Sequence, residues 1–255
     1  MEMTSNGIRK IEPGAFRNVP KLQHLNLSGN LLEEIGDGVF TNLSLRMLDL
    51  ANNKIYKLGE KAFNNMSLTY LSLDNNKISI WDGGWFNGTP VTTITMANNL
   101  LEGLPANTFK FTLELKHTSV KYTIKRLILS GNKLERIDPN AFKDVNHLGF
   151  VSLKNNSIEK LPLNVFESVQ ISTLDLSHNK ITQLDEAFKY VNIDHLDLRH
   201  NNMNCLPFDF LETSRIYYIY IDGNPLVCEC VEMWKEWQQK FYVKIISWND
   251  KTCIR

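Results

Sequence analysis

An LxLxxN pattern recurs ten times along this chain, with other apolar residues standing in for leucine at several positions. Most copies lie about 23 residues apart. Leu25-x-Leu27-x-x-Asn30, Leu48-x-Leu50-x-x-Asn53, Leu71-x-Leu73-x-x-Asn76 and Leu174-x-Leu176-x-x-Asn179 are examples. A unit this short cannot bury its own apolar face, so the units must stack into a solenoid. Within each copy the leucines alternate with polar residues, the period-2 signature of a strand with one face in a core. The asparagines (Asn6, Asn30, Asn53, Asn76, Asn99, Asn132, Asn156, Asn179, Asn201 and Asn224) stand where the chain turns away from the sheet. A buried amide at that bend must find partners, and the backbone of adjacent turns supplies them.

Nine or ten residues after every one of these asparagines but Asn224 comes a phenylalanine: Phe16, Phe40, Phe63, Phe86, Phe109, Phe142, Phe166, Phe188 and Phe210. Stacked at repeat spacing, these rings form an aromatic spine along the back of the solenoid. At this phase they are core rather than a ligand groove.

The leucine, asparagine and phenylalanine columns together resemble the typical leucine-rich repeat over residues 1 to 224. The resemblance implies an α/β solenoid: a right-handed curved horseshoe of about ten repeats, with a parallel sheet on its concave face. Members of that family bind protein ligands, and less often glycans or lipids, chiefly through that face and its edges.

Residues 225 to 255 differ in character. Asn224-Pro-Leu-Val-Cys228-Glu-Cys230, then Trp234-x-x-Trp237, then Cys253, resembles the cysteine-rich C-terminal flanking cap of Toll-type receptor ectodomains and secreted insect leucine-rich repeat proteins. In that family the first cysteine of CxC pairs with the third and the second with a fourth. The fourth is absent here, so the cap reads as truncated. Cys205 lies four residues after Asn201, as Cys228 lies four after Asn224, which stacks the two about one strand spacing apart, ~5 Å. Two arrangements stay open: Cys228–Cys253 with Cys205–Cys230, or Cys205–Cys228 with Cys230–Cys253. No regular fourth ligand supports a zinc site. An even set of cysteines in a repeat cap points to an oxidising, extracellular setting.

Five Asn-x-Ser/Thr motifs agree with that compartment, at Asn26, Asn42, Asn65, Asn87 and Asn155. Asn42, Asn65 and Asn87 are expected on the back or the ascending loop, where a sugar fits. Asn26 is expected inside a strand on the concave face.

Lysine plus arginine equals aspartate plus glutamate, 28 each. That balance argues against a nucleic-acid partner held by bulk charge. No apolar run approaches the ~18 residues of a membrane span, and no secretory h-region opens the chain. Met1 and Met3 occupy the leucine positions of the first copy with nothing before them, so residue 1 reads as an internal start. A membrane would therefore be reached only through segments outside this chain.

The outward strand positions fall into columns. Those of the middle repeats are small and bland. The C-terminal third gathers Phe150, Asp175, His195, Asp197, Arg199, Tyr218, Tyr220 and Asp222 into one candidate binding patch. Tyrosine and arginine beside carboxylates suit a protein interface, because they bury area while keeping hydrogen-bonding capacity. Strands also tolerate tyrosine well, and aspartate is a common solvated residue there.

Spacing breaks once. Asn132 follows Asn99 by 33 residues, with the surplus near 110–121. The alternation of Phe111, Leu113 and Leu115 suggests a hairpin or flap, either a contact element or a tolerated loop.

Catalysis finds no support. His178 and His200 occupy equivalent positions one turn apart near Asp197, but a histidine just before the repeat asparagine is a solvated bend residue. There is no phosphate loop, GxSxG or HExxH motif. The sequence predicts a non-catalytic extracellular recognition module that needs no cofactor. Its partner would be a protein ligand or co-receptor, and homo- or hetero-dimerisation is open to it. Innate immune recognition and receptor signalling is the leading role; cell adhesion or guidance is the first alternative, and an intracellular scaffold or regulator the second.

Overall fold

The computed structural model describes residues 1–40, 43–109, 122–184, 186–206, 212–246 and 253. The surplus segment 110–121, the motif at Asn42 and the spine position Phe210 lie outside them, as does the side chain of Trp237.

Ten parallel strands form one continuous sheet in strict sequence order, winding through about nine turns of a curved solenoid. The first four strands are three residues each: His24–Asn26, Met47–Asp49, Tyr70–Ser72 and Thr93–Thr95. The next five are longer, at Tyr122–Ile128, Val145–Ser152, Gln170–Asp175, Asn192–Asp197 and Arg215–Tyr220. A helix over Cys228–Phe241 then returns the chain to a tenth strand, Lys244–Ile246, which pairs with the ninth. The sheet thus continues past residue 224 into the segment that carries the CxC motif.

From Asn30 onward, each repeat asparagine ties its own turn to the preceding one. Asn53 Nδ2 donates to the Leu50 carbonyl at 3.0 Å and to Leu27 of the preceding turn at 3.1 Å, while its Oδ1 accepts from Leu32 N–H at 3.0 Å. Asn132 spans the surplus segment with the same bonds, to Met96 O at 2.9 Å and from Leu101 N–H at 3.0 Å. The insertion therefore leaves the ladder in register. Asn6 is exposed, and its side chain donates only to Thr4 O of its own turn.

Behind the sheet the phenylalanine rings stack turn upon turn. Phe16 meets Phe40 at 6.0 Å between centroids, Phe40 meets Phe63 at 6.3 Å, and Phe63 meets Phe86 at 5.6 Å. The run resumes from Phe109 to Phe142 and from Phe142 to Phe166, both at 5.2 Å. Trp81 joins the spine beside Phe86 and Phe109. Its ring lies 6.2 Å from Phe86 and 5.4 Å from Phe109, and its indole N–H donates to Thr108 O at 3.0 Å. A buried indole needs that acceptor.

The residue before each repeat asparagine is left-handed. Ser5, Asn52, Asn75, Asn98, Asn155, His178 and His200 have φ between 52° and 55°, and Gly29, Gly131 and Gly223 between 68° and 74°. The bend demands positive φ, which glycine and asparagine adopt at least cost. Asn75 donates to Asn52 Oδ1 at 2.9 Å and Asn98 to Asn75 Oδ1 at 2.8 Å, a side-chain ladder along this edge.

Candidate binding surface

Strand register assembles the candidate patch. Arg126, Phe150, Thr173, His195, Tyr218 and Lys244 pair in succession across six strands, forming one outward column. Ser152, Asp175, Asp197 and Tyr220 form the next. The predicted patch residues are therefore neighbours.

Their contacts hold each other in place. The His195 and Tyr218 rings stack at 4.6 Å with an interplanar angle of 13°. The Tyr220 hydroxyl lies 3.3 Å from His195 Nδ1. Arg199 forks onto Asp197, with Nη2 donating to Oδ2 at 2.6 Å and Nε to Oδ1 at 3.0 Å. Its guanidinium also lies over the Tyr220 ring, 5.6 Å from the centroid. The hydrogen bond to Asp197 raises the Arg199 pKa further. Asp175 is held from its own strand end, accepting from Ser177 Oγ at 2.7 Å and Ser177 N–H at 3.0 Å. Burial raises the Asp222 carboxyl, against the pull of Arg199 and His200. Side chains fixed by stacking and paired charges lose little entropy when a partner covers them.

Two members of this surface escaped the patch drawn from sequence. Arg126 lies over the Phe150 ring at 4.7 Å, and the Lys244 ammonium lies 5.8 Å from the Tyr218 centroid. Arg126 shares Phe150's column, so its position was readable. Lys244 belongs to the segment after the helix, which lacks the leucine and asparagine marks of a repeat. Only the alternation in Val243-Lys244-Ile245 hinted at a strand.

His178 and His200 stack at 4.3 Å on the bend edge. Burial, then His200 and Lys154, lowers the pKa of His178. Among the described residues, no group of three or more histidine, cysteine or acidic side chains is placed to hold a metal ion.

At the C-terminal end Cys205 pairs with Cys230 and Cys228 with Cys253, with Cα–Cα distances of 5.6 and 5.0 Å. Trp234, on the buried side of the helix, is 1% exposed. Asn65, Asn87 and Asn155 are exposed, whereas Asn26 is half-buried and its Oδ1 accepts from Ser28 N–H and Oγ at 3.0 and 2.8 Å. No helix among the described residues is long and apolar enough to cross a membrane.

The leucine rich repeat family model matches residues 1–55, 44–101 and 123–181. Human Mimecan is 27% identical over 223 residues, covering 87% of this chain and 50% of that protein. The chain thus spans about half the length of this relative. Among solved structures, the leucine-rich repeat domain of APL1B superposes with a TM-score of 0.58 at 25% identity, covering 88% of this chain and 69% of that one. The TLR13–ssRNA13 complex gives 0.50 at 18% identity, covering 93% and 52%, a likeness of fold alone. The disulfides and the likeness to Mimecan place the chain outside the cell, and modules of this kind work by binding proteins and not by catalysis. This chain belongs to the leucine-rich repeat family, as an extracellular, non-catalytic protein-interaction module.

Proposed function

We propose that this module recognises its protein partner through the C-terminal half of its concave sheet, around Phe150, Asp175, His195, Asp197, Arg199, Tyr218, Tyr220 and Asp222. The observation that carries this reading is the stacked His195–Tyr218 pair beside the forked Arg199–Asp197 pair on a rigid sheet. Aromatic and arginine anchors fixed before contact are what interface hot spots use. Sugars at Asn65 and Asn87 belong to this reading, on loops remote from the patch. The biological role is innate immune recognition or receptor signalling, with the concave face reading a ligand or co-receptor.

The experiment is affinity capture from extracellular fluid of the source organism, before and after microbial challenge. Wild-type protein is compared with the Asp197→Ala/Tyr220→Ala double variant. The immune reading expects a partner enriched after challenge and lost with the double variant. A resident cell-surface partner captured equally in both fluids would move the role to adhesion or guidance. Equal capture by both proteins would remove the patch.

A further inference from the structure

The lengthening of the strands after residue 122 widens the sheet on one side only, at the strands' N-terminal ends. That border carries Lys125, Arg126, Arg215 and Lys244, all exposed, together with half-buried His147 and, in the row of Lys125, half-buried Asp194. The border at the strands' other ends carries Asp175, Asp197 and Asp222 beside Lys154 and Arg199. Cations therefore predominate at the first border, although the chain as a whole is neutral.

None of the four border cations forms an ion pair with a carboxylate among the described residues; the ion pairs there are Lys10–Glu12, Arg199–Asp197 and Lys240–Glu212. Arg126 and Lys244 rest on aromatic rings instead, over Phe150 and Tyr218. A cation on a ring face keeps its charge available to a second partner, since the ring supplies no counter-ion. These two cations lie on one register column, five strand steps apart, which is about 24 Å at strand spacing; beyond Arg126 the column continues through Thr93. Between them lie Phe150, Thr173, His195 and Tyr218. From residue 138 onward the Asn-x-Ser/Thr motif is at Asn155, on the bend that leaves the strand Val145–Ser152 and not in the stretch that enters the next strand. On the same side in the N-terminal repeats, the corresponding loops carry the motifs at Asn65 and Asn87.

We infer that this cationic border docks an acidic segment of a protein partner, extended across the strands from Arg126 to Lys244. At ~3.3 Å per residue, roughly seven or eight residues span that distance. Acidic side chains at the two ends of the segment meet Arg126 and Lys244, and its centre covers the aromatic column. This inference rests on the reading of the concave patch as the binding face.

The test uses a fluorescein-labelled twelve-residue peptide with three glutamates at each end and an apolar centre, followed by anisotropy at two salt concentrations. Wild-type protein is expected to bind it more tightly at low salt. Arg126→Gln/Lys244→Gln should weaken binding at least tenfold and flatten the salt dependence, with an unchanged melting temperature. Arg136→Gln, on the back of the solenoid, should bind as wild type. Equal binding by wild type and the double cation variant, or no binding at all, overturns the inference. Tighter binding of a heparin hexasaccharide with the same residue dependence also overturns it, in favour of a sulfated sugar. The captured partner separates this inference from the reading beneath it. If Asp197→Ala/Tyr220→Ala loses that partner and the cation variant keeps it, the acidic segment falls alone; if both keep it, both fall.

Discussion

The imidazole of His195 lies flat against the phenol ring of Tyr218 on the next strand, with 4.6 Å between centroids, and the two residues are direct cross-strand partners. Tyr218→Ala removes this stack and the ring beneath Lys244. Such a pair contributes about 0.5–1.5 kcal/mol beyond area burial, so thermal unfolding should show a small loss. A loss of several kcal/mol would make Tyr218 a core residue and not a surface anchor.

Phe142 sits in the aromatic spine between Phe109 and Phe166 and is fully buried. Phe142→Ala should cost ~3–5 kcal/mol. Repeats contact only their neighbours, so hydrogen exchange should show protection lost first around residues 122–184. Uniform loss along the chain would contradict nearest-neighbour stacking.

Asn156 donates to Leu129 O at 3.0 Å and Leu153 O at 2.9 Å and accepts from Leu134 N–H at 3.0 Å. Asn156→Ala orphans buried backbone groups on two turns and should cost ~1–3 kcal/mol in chemical denaturation. Asn6→Ala, at an exposed position whose side chain bonds only to its own turn, should change stability little. Equal costs at the two positions would refute the cross-turn role of the amide.

His178 is held below the ordinary 6.5 by burial, His200 and Lys154. The folded chain therefore binds its proton less readily than the unfolded chain. Its contribution to stability is complete above the unfolded value and declines as pH falls through that value toward the folded one. NMR titration should place the His178 midpoint below 6.5, and His200→Asn should raise it. Asparagine suits the left-handed backbone at that bend, as Asn52, Asn75 and Asn98 show. A midpoint unmoved by the substitution would rule out His200 as a cause.

The repeat was legible because one physical demand, stacking, imposes the same residue at the same phase ten times. Asn53 and Asn132 could be assigned to a cross-turn bond from spacing alone, and Phe142 to the core. The left-handed column was equally visible, since the residues before the repeat asparagines are serine, glycine, asparagine or histidine. Other features had no repeating signal. Trp81 occurs once, packed beside Phe86 and Phe109 at one turn. Lys244 reaches the sheet only after a helix. The cysteine pairing was open in sequence because both arrangements meet the spacing of adjacent turns. The patch could be assembled from strand register, but the rings that carry Arg126 and Lys244 needed side-chain positions.

The central claim is that the C-terminal concave surface recognises a partner and does not merely hold the fold. It is tested most directly by measuring partner affinity and melting temperature together on Tyr220→Ala and Asp197→Ala. The account expects each substitution to weaken binding at least tenfold while the melting temperature stays near that of wild type. Binding and melting temperature falling in step would show that these residues are structural, and would contradict it.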